Sequence, residues 1–128
     1  MNLLLDTHLL LWAASAPDRL SKPALALILD SENRLWFSVA SLWEIAIKRA
    51  LNRPDFRADA TLLRTGLLAN GYEELAIAAR HVQSLTTLPP LHSDPFDRML
   101  VAQAQAEAMQ LLTADRAVAA YGGPVRLV

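Results

Sequence analysis

The 128-residue sequence contains no cysteine, which excludes a disulfide framework, a thiol nucleophile and a zinc site built on thiolates. It also lacks an excess of charge, because 12 basic and 13 acidic residues give a formal net charge of −1 and predict no polyanion partner from bulk charge alone. No uncharged stretch reaches the ~18 residues of a membrane-spanning helix. The apolar run after Met1 is too short for a signal peptide and lacks its basic start. We therefore expect a soluble, cytoplasmic protein with no attachment to a membrane.

What is present is typical of one globular domain. Hydrophobic residues make up 53% of the chain, and with only 4 glycines and 7 prolines the sequence is neither disordered nor collagen-like. A chain of this length buries about two-thirds of its extended surface on folding, which is enough for one hydrophobic core. There is no internal repeat or linker, so we predict a single domain over residues 1–128.

Short apolar runs alternate with helical patterns along the chain. The run at 3–5 predicts a strand buried on both faces, and further strands are predicted at 35–39, 72–75, 111–113 and 125–128. Helices are predicted at 8–14, 21–29, 41–50, 58–69, 76–85, 96–108 and 116–121. This alternation predicts the α/β class, with a central, mostly parallel sheet of about five strands between helices in a three-layer α/β/α arrangement.

Acidic side chains recur where a predicted strand gives way to a helix. Asp6 follows the first strand, Glu44 lies in the first turn of the helix after the second, and Asp115 follows the fourth. Asp97 lies at the start of the strongest helical pattern in the chain. Ligands of open parallel sheets bind outside the carboxyl ends of the strands, so these four acids are the candidate catalytic residues.

Each acid also has a purely structural explanation, because each sits where a helix begins. Asp6 and Asp115 fit simple N-caps. The pairs Ser41-x-x-Glu44 and Asp94-x-x-Asp97 fit capping boxes. A cluster is harder to explain in this way, since two carboxylates ~5 Å apart repel by about 3 kcal/mol at a dielectric near 20, against ~1 kcal/mol for a cap. A cluster therefore predicts a bound cation, and oxygen ligands favour Mg²⁺ or Mn²⁺, which would activate a water for attack on a phosphodiester.

Basic residues accompany the acids. Three of them are close to an acid in sequence: Lys48, Arg98 and Arg116. Each is either a contact to a substrate phosphate or a structural counter-ion of its acidic neighbour. A looser basic stretch is either a contact to a nucleic-acid backbone or a solvated surface, and it comprises Arg49, Arg53, Arg57 and Arg64.

Four segments carry these residues in order, namely 4–8 (LLDTH), 38–45 (SVASLWEI), 92–104 (HSDPFDRMLVAQA) and 111–115 (LLTAD). Together they resemble the motifs of the PIN-domain nucleases, and within them the VapC-type toxins of bacterial toxin–antitoxin pairs. The third segment is the most specific of the four, and the resemblance covers nearly the whole chain.

The resemblance implies a metal-dependent endoribonuclease with a five-stranded parallel sheet. It assigns the catalytic and metal-binding acids to Asp6, Glu44, Asp97 and Asp115 and the cofactor to Mg²⁺ or Mn²⁺. Small hydroxyls that support the acids correspond to Thr7, Ser41 and Thr113. It further implies an RNA substrate, a homodimer and a cognate antitoxin protein that silences the toxin. Many members of the family carry another acid after the fourth, and residues 116–119 offer none, which places a full second metal site in doubt.

Alternatives and accessory residues stay open at this stage. A signalling receiver domain has a similar length, but it requires paired acids after its first strand and a lysine after its last strand. This chain lacks both features. A non-catalytic PIN-like scaffold that binds RNA or protein is the second alternative, and Mn²⁺ binding would separate it from an enzyme. His8 and Asp94 are possible assistants of the acids. The apolar stretch 9–12 predicts a surface for a dimer or an antitoxin helix.

Overall fold

A single parallel sheet with helices on both faces organises the protein, and the computed structural model describes all 128 residues. The five strands are β1 (Asn2–Leu5), β2 (Arg34–Ser38), β3 (Glu73–Leu75), β4 (Gln110–Thr113) and β5 (Val125–Leu127). The helices are α1 (Thr7–Ser15), α2 (Lys22–Leu29), α3 (Val39–Ala50), α4 (Ala60–Ala69), α5 (Ala79–Leu85), α6 (Pro95–Glu107) and α7 (Arg116–Ala119), with a 3₁₀ turn at Pro17–Arg19. This confirms the predicted three-layer α/β/α class.

The strand order β3-β2-β1-β4-β5 places β1 at the centre of the sheet. All four strand pairs are parallel, with Leu4 of β1 beside Trp36 of β2 and Leu5 beside Leu112 of β4. The chain fills one side of β1 with β2 and β3 and then crosses to the other side for β4 and β5. The point where the order reverses lies between β1 and β4, and a crevice forms there at the carboxyl ends of the strands.

Two hydrophobic clusters cover the two faces of the sheet. Alternate side chains of β1 point to opposite faces, so Leu3 and Leu5 enter the cluster under α1 and α4 while Leu4 enters the cluster under α6. All three leucines are fully buried, which confirms that this strand is covered on both sides. None of the helices has the length and apolar character needed to cross a bilayer.

Some predicted details of the helices are wrong. Helix α3 begins at Val39 because the Ser38 hydroxyl accepts the Ala40 backbone N–H, so Ser41 lies inside the helix and forms no capping box with Glu44. Helix α5 begins at Ala79 rather than at residue 76. The stretch 9–12 is not an exposed surface, since its three leucines are buried in the core and Trp12 is half-buried.

Candidate active site

Asp6 lies at the centre of the crevice, directly after β1. One oxygen of its carboxylate accepts the Leu9 backbone N–H at 2.9 Å and so caps α1, while the other accepts the Thr113 hydroxyl at 2.6 Å. Burial raises the pKa of Asp6 above its ordinary value and the charge of Glu44 adds to this, although the hydrogen bonds from Thr113 and Leu9 and the proximity of His8 oppose it. The predicted N-cap is therefore present, and the same side chain is also a buried acid beside other acids.

Glu44 projects from the second turn of α3 and is 2% exposed. Its carboxylate accepts the Thr7 hydroxyl at 2.6 Å and the Lys48 ammonium at 2.5 Å. The Thr7 hydroxyl also lies 3.0 Å from that of Ser41. Because Thr7 directly follows Asp6, these contacts hold the carboxylates from β1 and α3 together in one buried layer.

Asp97 is in the first turn of α6, where its carboxylate accepts a hydrogen bond from Nε2 of His92 at 2.9 Å. Burial raises the pKa of Asp97 to about 6, although the hydrogen bond from His92 lowers it. The charges of Asp94, Glu44 and Asp6 all add to the upward shift. Glu44 and Asp6, from distant parts of the chain, are therefore close enough to Asp97 for their charges to act on it.

Asp115 completes the group from the far side of the crevice. Its carboxylate caps α7 by accepting the Ala117 backbone N–H at 2.8 Å, and its own backbone N–H donates to the Thr113 hydroxyl at 3.0 Å. One ligand atom from each of His92, Asp97 and Asp115 lies within 4.8 Å of the other two. The Thr113 hydroxyl therefore links Asp6 to Asp115, and Asp115 closes the cluster on its exposed side.

The donor set suits a divalent cation. Carboxylates dominate it, with one imidazole, and the site lies partly open to solvent, which is the environment in which Mg²⁺ and Mn²⁺ bind. The only cation that touches the cluster is Lys48, which sits 2.5 Å from Glu44 and 3.8 Å from Asp94. Burial raises the pKa of both Asp6 and Asp97, and neighbouring carboxylates add to the shift, so a cation at this position would stabilise their ionised forms.

The other predicted basic residues have different surroundings. Arg98 donates to the Pro89 carbonyl at 3.0 Å and to the Tyr121 hydroxyl at 2.8 Å, so it ties α6 to its preceding loop and to the chain after α7. Arg116 is exposed beside Asp115. Lys48 is a partly buried counter-ion of Glu44, whereas Arg116 has no carboxylate within 4.0 Å of its guanidinium.

Asp94 and His8, the two residues predicted to assist the acids, have different surroundings. Asp94 caps α6 by accepting the backbone N–H groups of Phe96 and Asp97 at 2.8 and 3.1 Å, as its sequence position predicts. His8 lies instead against Asp55 at 3.4 Å and packs its ring edge-on to Phe56. His8 therefore points toward the loop after α3 rather than into the acidic cluster.

Sequence reasoning missed two residues of this site. His92 matches no His-based metal spacing, and the one available signal was its place five residues before Asp97 in the most specific segment. Gln103 is a fully buried polar residue of α6 that accepts the Ser38 hydroxyl at 2.5 Å. Since Ser38 caps the helix that carries Glu44, Gln103 connects the helices of Glu44 and Asp97. A polar residue within an apolar helical pattern was the signal for it.

Comparisons with known proteins agree with this fold. The PIN domain family model matches residues 3–124. Among solved structures, VapBC2 from Rickettsia felis bound to a promoter DNA fragment has a TM-score of 0.71 at 17% identity, over 100% of this chain and 98% of that one. For VapBC-1 from nontypeable Haemophilus influenzae the TM-score is 0.67 at 16% identity, with coverage of 100% and 97%. VapC20 from Mycobacterium tuberculosis, described as a sarcin–ricin loop cleaving toxin, gives 0.66 at 17% identity, with coverage of 94% and 95%.

No curated protein is a significant match to the chain. At such low identities the solved structures establish a shared fold, whereas the match to the family model also establishes family membership. Because that model spans nearly the whole chain, from β1 to the residue before β5, the protein belongs to the PIN domain family.

Proposed function

We propose that the protein is a Mg²⁺- or Mn²⁺-dependent endoribonuclease that acts as the toxin of a toxin–antitoxin pair. The observation that carries this proposal is that ligand atoms of His92, Asp97 and Asp115 lie within 4.8 Å of one another and that the Thr113 hydroxyl links Asp6 to Asp115. With Glu44, these acids form the cluster that we propose as the metal site. Carboxylates are expensive to crowd in a partly buried site, and a divalent ion offsets that cost. A non-catalytic scaffold gives no physical reason to keep such a cluster.

The position of each side chain in the crevice suggests its role in binding the ion. Asp97, Asp115 and His92 would hold the ion from the open side of the crevice and Asp6 from the buried side. Glu44 accepts hydrogen bonds from Thr7 and Lys48, so it would fix the charge and orientation of the buried acids beneath the ion. When bound, the ion supplies a Lewis acid that polarises a phosphate and lowers the pKa of water. Arg116, which is exposed next to Asp115, would neutralise a substrate phosphate.

We propose an antitoxin protein as the partner, because two of the similar structures are VapBC assemblies and another is described as a toxin–antitoxin complex from Klebsiella pneumoniae. The chain offers an apolar cleft of about 760 Å³ between α1, α2 and α4 that fits an apolar segment of such a partner. Exposed leucines on its rim include Leu25, Leu29 and Leu62. A homodimer and a cytoplasmic location belong to the same proposal, and sedimentation of the purified chain tests the first.

The decisive experiment is cleavage of total RNA by the wild type and by Asp97→Asn, each with Mn²⁺ and with chelator. We expect fragments from the wild type with metal, and none from Asp97→Asn or from either protein in chelator. Asp18→Asn is a matched control, since Asp18 is an exposed aspartate in the 3₁₀ turn outside the cluster. Full activity in chelator would contradict the metal mechanism, and titration calorimetry that detects no Mn²⁺ binding would favour the scaffold instead.

A further inference from the structure

A second polar cleft, with a volume of about 380 Å³, lies beyond the carboxyl end of α3. We call it the arginine cleft, and its lining residues are Arg49, Asn52, Arg53, Pro54, Phe56 and Arg57. Phe56 is only 2% exposed and belongs to the core, so the accessible groups of the cleft are mainly the three guanidinium side chains and an amide. Nothing in the acidic cluster uses these residues.

The positive charge of the arginine cleft is only partly compensated. Arg49 pairs with Asp59 at 3.1 Å, but no carboxylate lies within 4.0 Å of the guanidinium of Arg53 or Arg57. The one acid of the same loop, Asp55, lies 3.4 Å from His8 and also interacts electrostatically with Arg53. Since Lys48 pairs with Glu44 and Arg49 with Asp59, the surplus of positive charge in residues 48–57 comes from Arg53 and Arg57, which face one acid, in a protein whose formal net charge is −1. This local surplus therefore points to an anion from outside the chain.

The arginine cleft lies next to the acidic cluster. The Lys48 ammonium lies 2.5 Å from Glu44 and 4.8 Å from the ring centre of Phe56, which lines the cleft. Along α3, Glu44 and Arg49 are separated by about 8 Å at 1.5 Å per residue. A nucleic-acid strand stacked at about 3.4 Å per nucleotide covers that distance in two or three nucleotides.

We propose that the arginine cleft binds backbone phosphates of an RNA strand, two to three nucleotides from the bond that the acidic cluster cleaves. This inference rests on the proposed nuclease function and adds a subsite to it. Guanidinium groups match phosphate oxygens with two parallel hydrogen bonds, which makes arginine well suited to this contact. Phosphate contacts carry no base information, so this subsite fixes the register of the strand and leaves sequence preference to other residues.

The test is binding of a fluorescein-labelled, 20-nucleotide single-stranded RNA to the full chain in EDTA, followed by anisotropy over a range of NaCl concentrations. Each phosphate contact on a single strand contributes a slope of about 0.7 to the dependence of log Kd on log salt. For Arg53→Gln/Arg57→Gln we expect the slope to fall by about 1.4, and the affinity at 0.1 M salt to fall about 20-fold. Arg53→Lys/Arg57→Lys keeps both charges and should keep most of the slope.

The matched control is Arg126→Gln, which removes an exposed arginine from β5 at the opposite edge of the sheet from β3. An unchanged slope in the double glutamine variant, or an equal loss in the Arg126 variant, would overturn the proposal. So would intact RNA binding together with weaker binding of the antitoxin, which would assign these arginines to a protein partner. Wild-type protein that binds RNA with the expected slope but never cleaves it would refute the nuclease function and leave the phosphate subsite standing.

Discussion

Replacing Asp97 with asparagine removes one charge from the acidic cluster and changes little else. Asparagine has the same shape, and its side-chain carbonyl still accepts the hydrogen bond that His92 donates at 2.9 Å. The cap of α6 is unaffected, because it comes from the Asp94 side chain and uses only the backbone N–H of residue 97. Differences between Asp97→Asn and the wild type therefore report the charge.

The size of the effect follows from the pKa of Asp97. A rise from 3.8 to about 6 corresponds to about 3 kcal/mol if fully expressed, and partial solvent screening reduces this to about 2 kcal/mol. Because the folded-state pKa is the higher one, this stability is fully present below pH 3.8 and is lost as the pH rises through about 6. Without metal, the wild type should be less stable at pH 8 than at pH 4 by this amount.

The assay is thermal unfolding in EDTA from pH 4 to pH 8, beside the Asp18→Asn control. Asp97→Asn should match the wild type near pH 4 and exceed its melting temperature by about 6 °C at pH 8, with a smaller pH slope. The slope should not vanish, since burial also raises the pKa of Asp6. In saturating Mn²⁺ the order should reverse, because only the wild type gains the binding energy of the ion. A variant that is less stable than the wild type at pH 8 in EDTA would refute the electrostatic reasoning.

Three further substitutions test the site. Asp6→Asn should raise the melting temperature in chelator, because asparagine still caps α1 by accepting the Leu9 N–H and one buried charge disappears. An equal or lower melting temperature would argue against crowding of the acids. His92→Gln should weaken Mn²⁺ binding by about tenfold in calorimetry, as expected on losing a ligand or the partner that orients Asp97, and unchanged affinity would remove His92 from the site. Gln103→Met leaves the buried Ser38 hydroxyl without its acceptor, so it should cost about 1–3 kcal/mol in urea unfolding; a neutral result would show that this bond does not fix α3.

Much of the fold could be read from local patterns. The leucine run of β1 and its burial, the cap of α2 at Ser21 and the cap of α6 at Asp94 all depend on residues close together in sequence. Helix α3 was misjudged by two residues because Ser38 and Ser41 are both competent caps, and the long-range bond from Ser38 to Gln103 is invisible in the local sequence. A local rule cannot choose between two serines when a contact 65 residues away distinguishes them.

In the candidate site, too, some features follow from local sequence and others depend on tertiary packing. That Asp6 and Asp115 begin helices was predictable, and the structure shows that each is both a cap and a member of the acidic group. The sequence could not reveal that His92 would lie against Asp97, or that Arg98 would be occupied by Tyr121. Those outcomes depend on loops whose course is set by packing over the whole chain.

The sequence by itself determined which elements form and in what order, a mostly parallel sheet and the candidate acids, because periodicity and capping act within a few residues. Tertiary structure alone decided that the acids meet, since strand pairing sets β1 between β2 and β4 and so brings Asp6 beside Thr113, across 107 residues of chain. Tertiary structure also decided which basic residues form ion pairs and hydrogen bonds within the fold and which remain exposed. The physical reason is that burial, electrostatic repulsion and ion pairing depend on distances in space, which the order of residues does not fix.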